Sequence, residues 1–188
     1  MKKILIIDNG TSYLKDLERL LSSFSVHTVP YNHTQDTALY DLTILSGGHS
    51  FSVLDHENLY KNELKTIRTS RKPIIGICLG FELIAYAFGG SLKRMETKEN
   101  RIISLELLRK NRMFNNISNL EVYENHRWVV EDLGYDLEGL AKSKDGYEVI
   151  RHKNRPIYGF QFHPEKCVNR TCGDEIFRNL MQEIDMVS

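Results

Sequence analysis

The sequence predicts an α/β domain: a central, mostly parallel sheet with helices on both faces and a smaller antiparallel section at one edge. Three observations carry this expectation. Short apolar runs alternate with helical patterns through the first half, the texture turns to strand-like pieces after Gly89-Gly90, and the chain closes on an amphipathic helix. Residues 4–7 are an uninterrupted apolar run, the mark of a strand buried on both faces. Leu14, Leu17, Leu20, Leu21 and Phe24 then recur at helical spacing, giving a β-α opening. Residues 26–29 and 42–45 read as the next strands, 59–67 as a helix, 73–77 as a strand and 83–88 as the helix it feeds. Strands alternating with helices imply parallel neighbours covered on both sides. Strand-like pieces at 102–108, 120–123, 128–130, 148–150 and 157–162 are separated by turn residues, which suits an antiparallel section. From 174 to 184, Ile176, Phe177, Leu180, Met181 and Ile184 form one apolar face. No repeat, low-complexity tract or Pro/Gly/Ser linker divides the 188 residues, so one domain over 1–188 is expected.

The 25 basic and 25 acidic side chains cancel, so nothing in the charge balance points to nucleic acid or an anionic membrane as a partner. The opening Met-Lys-Lys and residues 4–7 run at once into Asp8, too short for a signal segment, and no stretch approaches a membrane span. A cytoplasmic protein is expected. Three cysteines argue against a disulfide framework and leave single-cysteine chemistry open.

One of them, Cys78, stands between a predicted strand and a predicted helix, with Gly76 and Gly80 two residues to either side. That is a nucleophile elbow with sulfur in place of oxygen. A sharp strand-to-helix turn crowds the backbone, so small flanking residues are needed, and it lifts the thiol above the sheet. The helix N-terminus favours thiolate and offers N–H groups to an oxyanion. Cysteine is also among the residues most often buried simply as core, and the two glycines at the junction are what favour a nucleophile. Near the other end, residues 156–165 read as a strand that stops at His163, because Pro164 cannot donate to a ladder. His163 can take the thiol proton and return it to a leaving amine, while Glu165 holds the imidazole. A His-x-Glu triplet alone is more often a solvated turn; beside the elbow it becomes the expected complement.

The order Ser46-Gly47-Gly48, Gly76-Ile-Cys78-Leu-Gly80 and Phe162-His163-Pro164-Glu165 resembles the class I (triad-type) glutamine amidotransferases over essentially the whole chain. The resemblance implies a Cys78-His163-Glu165 triad, a γ-glutamyl thioester on Cys78, and release of glutamate and ammonia. It places the oxyanion hole at the backbone N–H groups of Leu79 and Gly48. It also implies glutamine as substrate and, because the chain shows no ATP-pyrophosphatase module or nucleotide-binding loop, a separate synthetase that takes the ammonia. Within the family, Asp8-Asn9-Gly10 with Tyr13, residues 44–48 and residues 156–165 look most like the separate glutaminase subunit of GMP synthetase. Residues 124–130 look nearer to the carbamoyl-phosphate synthetase small subunit or anthranilate synthase component II.

Glu82 replaces the family's glutamine four residues past the nucleophile, one helical turn on and on the same side as Cys78. Glu82 is expected to touch substrate, either gripping its α-ammonium or opposing thiolate formation. Arg127 and Trp128 occupy the stretch that in relatives holds the amino-acid end of glutamine, mostly through backbone. His49 and Phe81 also depart from the family pattern. Two other readings stand beside the amidotransferase: a stand-alone γ-glutamyl hydrolase, and a weakly active or regulatory homologue in which Glu82 has spoiled the site. No cofactor or metal is expected. Cys167 and Cys172 lack companions in zinc-ligand spacing, and His27, His33, His56, His126 and His152 are scattered enough to default to solvated or hydrogen-bonded roles.

Overall fold

The computed structural model describes residues 1–33 and 36–187. The first half comprises β1 (Lys3–Asp8), α1 (Leu14–Leu20), β2 (Ser25–Pro30), β3 (Leu42–Leu45), α2 (Lys61–Thr69), β4 (Ile74–Ile77) and α3 (Leu79–Ala87). The second comprises β5 (Ser91–Arg94), β6 (Arg101–Ser104), β7 (Glu106–Leu107), β8 (Glu121–Glu124), β9 (Trp128–Asp132), β10 (Leu137–Lys142), β11 (Tyr147–His152), β12 (Ile157–Phe160) and α4 (Gly173–Glu183). Strands β2-β1-β3-β4-β12 lie side by side and all parallel. Beyond β12 the sheet turns antiparallel through β11, β10 and β7, while β9 pairs with β11 and carries β5. β6 and β8 form a separate antiparallel pair. This is the predicted class, helices on both faces included.

The two-residue period of a strand explains why β1 reads as apolar throughout. Ile4 and Ile6 pack with Leu17 and Leu21 and with Ile176, Phe177 and Leu180 of α4. Leu5 and Ile7 face the other way, onto Leu64 and Ile67 of α2 and Leu83 and Ile84 of α3. Every residue of β3, β4 and β12 is likewise buried.

Several boundaries differ from those expected, each for a physical reason. α3 begins at Leu79, not 83, because Gly80, a poor helix former, lies inside its first turn. β12 ends at Phe160, yet the backbone stays tied: Gln161 N–H donates to Glu148 O at 2.9 Å and His163 N–H to Tyr123 O at 3.0 Å. α1 stops at Leu20, with Leu21 still fully buried in the turn that follows. β5 and β10 had no counterpart in the expectation. β5 is the exposed, polar run Ser-Leu-Lys-Arg, and β10 contains Gly139 and shifts register against β11. Among the described residues no helix is long and apolar enough to cross a membrane.

Because β3, β4 and β12 are parallel neighbours, their carboxyl ends emerge together. In open α/β sheets that edge is where ligands bind. Ser46-Gly47-Gly48 follows β3, Cys78 follows β4, and His163 follows β12.

Candidate active site

Cys78 has φ 51° and ψ −105°, a conformation that costs a residue with a Cβ on the order of 1–3 kcal/mol. Its neighbours impose it. Cys78 N–H donates to Phe160 O at 2.8 Å and Gly80 N–H to Ser46 O at 3.2 Å. A Cβ on Gly80 would lie 2.2 Å from Leu45 O, and one on Gly76 2.4 Å from the Gly80 carbonyl. Both flanking glycines are therefore required by backbone contact, as the elbow reading expected.

The thiol is 4 % exposed, and its environment runs against one expectation. Burial, then the Glu82 and Glu165 carboxylates, push the Cys78 pKa well above its ordinary value. The Leu79 N–H at the helix start and Lys98 oppose the rise but are outweighed. The helix N-terminus thus does not by itself make a thiolate here, because desolvation and negative charge both favour the neutral thiol.

His163 Nδ1–H donates to Glu165 Oε1 at 2.8 Å, with both residues buried. The ring is edge-on to Tyr13, with centroids 5.0 Å apart. A Cβ on Gly47 would sit 3.0 Å from His163 Cε1 and 3.4 Å from Cys78 Cβ, so the imidazole and the nucleophile's side chain flank one glycine. Cys78 and His163 also line a common recess with Thr11, Tyr13 and Asn125.

The loop after β3 is held by Ser46 and Asn9. Asn9 N–H donates to Ser46 Oγ at 2.9 Å and Asn9 Nδ2 to Ser46 O at 3.0 Å. Gly48 passes so close to this anchor that a Cβ there would meet Asn9 O at 2.3 Å. Gly48, Cys78, Leu79, Glu82, Arg127 and Trp128 all line a cavity of about 530 Å³. Glu82 is buried, its N–H bonded to Cys78 O at 3.0 Å and its Oε1 accepting from Gln161 Nε2 at 3.4 Å. Burial raises its pKa to about 7 against the opposing pull of His126 and Gln161.

The cavity also takes residues that sequence reasoning missed: Arg94, Lys98, Asn125 and His126. They come from the antiparallel section and the loops beside it, where no local motif marks them. Asn125 brings its carbonyl oxygen to 4.0 Å from Cys78 Sγ. His126, expected to be solvated or hydrogen-bonded, is buried and bonded through Nδ1 to Trp128 O. Cys167 and Cys172 are free thiols; Cys172 Sγ donates to Glu121 O at 3.2 Å. A nucleophile in reach of a histidine, a carboxylate orienting that histidine, and backbone N–H groups around a cavity are the equipment of acyl transfer.

The family model described as Glutamine amidotransferase class-I matches residues 5–184. The glutamine-hydrolyzing subunit of GMP synthase from Pyrococcus abyssi is 34% identical over 185 residues, covering 94% of this chain and 95% of the relative. The protein of the same name from Methanocaldococcus jannaschii is 32% identical, with 94% of each chain covered. Among solved structures, a Thermoplasma acidophilum protein assigned to GMP synthase superposes with a TM-score of 0.84 at 30% identity, over 99% of this chain and 95% of that one. A Thermotoga maritima glutamine amidotransferase gives 0.79 at 17% identity over 97% of each chain, a likeness of fold.

Proposed function

This chain belongs to the class I glutamine amidotransferase family, and from that premise we propose that Cys78, His163 and Glu165 hydrolyse the side-chain amide of glutamine. The ammonia passes to a separate synthetase chain, and the relatives' shared name points to GMP synthase as that enzyme. Residues 1–188 act as one glutaminase domain, in the cytoplasm.

The observation that carries the reading is the meeting of Cys78 with the 2.8 Å His163–Glu165 pair at the ends of adjacent parallel strands. In the resting site the thiol is neutral. With glutamine bound, Cys78 Sγ gives its proton to His163 Nε2 and attacks the amide carbon. The oxyanion that forms accepts from the N–H groups of Leu79 and Gly48. Collapse breaks the carbon–nitrogen bond, and His163 returns the proton to the departing nitrogen as ammonia, leaving a γ-glutamyl thioester. Water, deprotonated by His163, then attacks the thioester, and glutamate leaves as the thiol is restored. Glu165 keeps Nδ1 protonated so that Nε2 faces the reaction. Glu82 takes the α-ammonium of glutamine, with Arg127 and Trp128 along the same wall.

The experiment is glutamate release from glutamine by the wild type and Cys78→Ala, with a γ-glutamyl amine as second substrate. Turnover of glutamine, abolished by the substitution, is expected. Turnover of the amine alone would replace this reading with a γ-glutamyl hydrolase. One observation favours a second reading, partner-dependent activity: Glu82 raises the thiol pKa, so turnover that appears only when the synthetase is added would support it.

A further inference from the structure

Glu124 closes β8, His126 lies in the loop that follows, and Glu148 sits on β11. They are 0%, 3% and 0% exposed. One ligand atom from each, two carboxylate oxygens and an imidazole nitrogen, all lie within 4.8 Å of one another. The outer side of two of the groups is fixed: His126 Nδ1 donates to Trp128 O at 2.9 Å, and Glu148 Oε1 accepts from Ser143 Oγ at 2.8 Å. That leaves His126 Nε2, Glu148 Oε2 and both oxygens of Glu124 with no hydrogen-bond partner among the described residues. Orphaned buried carboxylate oxygens are costly, and here several converge on one point.

The spacing separates the ways such a cluster can be satisfied. His126 Nε2 and Glu124 Oε2 are 3.4 Å apart, longer than the roughly 2.7–2.9 Å of a charge-assisted hydrogen bond. It suits two ligands on a tetrahedral ion whose own bonds are about 2.0–2.2 Å. Imidazoles that bind metal through one nitrogen commonly donate the other to a carbonyl, as His126 does to Trp128. The charge is also right. Two carboxylates face one imidazole, and Glu82 adds a third negative group toward His126. Asp145 acts on Glu148 from the adjoining turn. Arg101, across the strand pair from Glu124, is already engaged by Glu99 and Asp145.

We propose that Glu124, His126 and Glu148 form a site for one divalent transition-metal ion of the zinc type, with nitrogen and oxygen ligands. The ion ties the end of β8 and the 125–128 wall of the cavity to β11. In the sequence the three residues have no recognisable ligand spacing, so only the fold assembles them. The proposal rests on this geometry alone and holds whatever the cavity binds.

The test uses full-length protein carrying Cys78→Ser and Cys167→Ser to remove competing thiols, treated with chelator and titrated with Zn²⁺ by calorimetry. Co²⁺ is titrated in parallel and read by its absorption. One equivalent is expected to bind, with no thiolate-to-cobalt charge-transfer band and with a change in emission from the chain's single tryptophan, Trp128. Glu124→Gln and Glu148→Gln should each weaken binding at least about 10-fold. Should either variant fail to fold, the parent's melting temperature must still rise with Zn²⁺ and fall back with chelator. Absence of stoichiometric binding, a thiolate band, or affinity indifferent to both substitutions overturns the proposal. The cluster would then be a shared-proton network, and metal-free Glu148→Gln would melt higher than the parent.

Discussion

Two buried histidines, each two residues from a glutamate, lie along the same active-site edge and are held in opposite ways. His163 gives Nδ1 to Glu165 in a 2.8 Å hydrogen bond, leaving Nε2 on the side of Cys78. His126 gives Nδ1 to a backbone carbonyl and turns Nε2 toward Glu124, 3.4 Å away and without a hydrogen bond. The first arrangement fixes a tautomer and an orientation and suits a base that must move a proton. The second fixes the ring against the backbone and leaves a polar cluster short of partners, which suits architecture. A histidine and a glutamate two residues apart therefore say little about chemistry until the atom each ring nitrogen meets is known.

The contrast is sharpest in turnover. His163→Ala should lower kcat on the order of 10²–10⁴-fold, measured as glutamate release, whereas His126→Ala should act mainly through KM and melting temperature. Equal loss of kcat in the two variants would break the distinction. Glu165→Gln should come next, through loss of the orienting bond, with a kcat loss of up to about 10⁴-fold and KM little changed. A smaller effect is expected from Gly47→Ala. Its Cβ would crowd His163 Cε1 at 3.0 Å and Cys78 Cβ at 3.4 Å, and kcat should fall roughly 10-fold, an estimate from the sensitivity of reacting geometry to small displacements. Glu82→Gln removes one of the two carboxylates that raise the thiol. Its pH profile for alkylation of Cys78 should move to lower pH; an unmoved profile would mean that burial alone sets the thiol.

The mildest test concerns stability against pH. Burial raises Glu82 to about 7 and Glu63 to about 8 in the folded chain, above the ordinary 4.5. The folded state therefore binds more protons than the unfolded one between about 4.5 and 8, and stability falls as pH rises through that window. Melting temperature should decline across it, and less steeply in Glu82→Gln and Glu63→Gln. Profiles parallel to the wild type would show that these groups are not titrating as described.

Much of the fold was legible because its signals are local. The apolar runs of β1, β3 and β4 are buried on both faces, so nearly every residue carries the signal. β5 and β10 were illegible because an exposed polar edge strand and a glycine-containing, register-shifted strand lack that pattern. The start of α3 was hidden for a related reason: Gly80 serves the close approach to Leu45 O, not helix propensity. Of the site, the elbow and the His163–Glu165 turn could be read because each is a few consecutive residues. Lys98, Asn125 and His126 could not, since their place beside Cys78 depends on how the antiparallel section folds over the sheet edge.

The sequence by itself determined the strand-turn-helix that presents Cys78, since contacts between Gly76, Gly80 and their neighbours leave that turn little other conformation. It also determined the presence of a histidine and a carboxylate where a strand must end. The tertiary structure decided the rest. Parallel pairing of β4 with β12 brings residues 78 and 163 to one edge, and burial sets their charges. Whether a thiol is neutral, or three side chains make a site, depends on desolvation and on distances across the fold, which chain spacing does not encode.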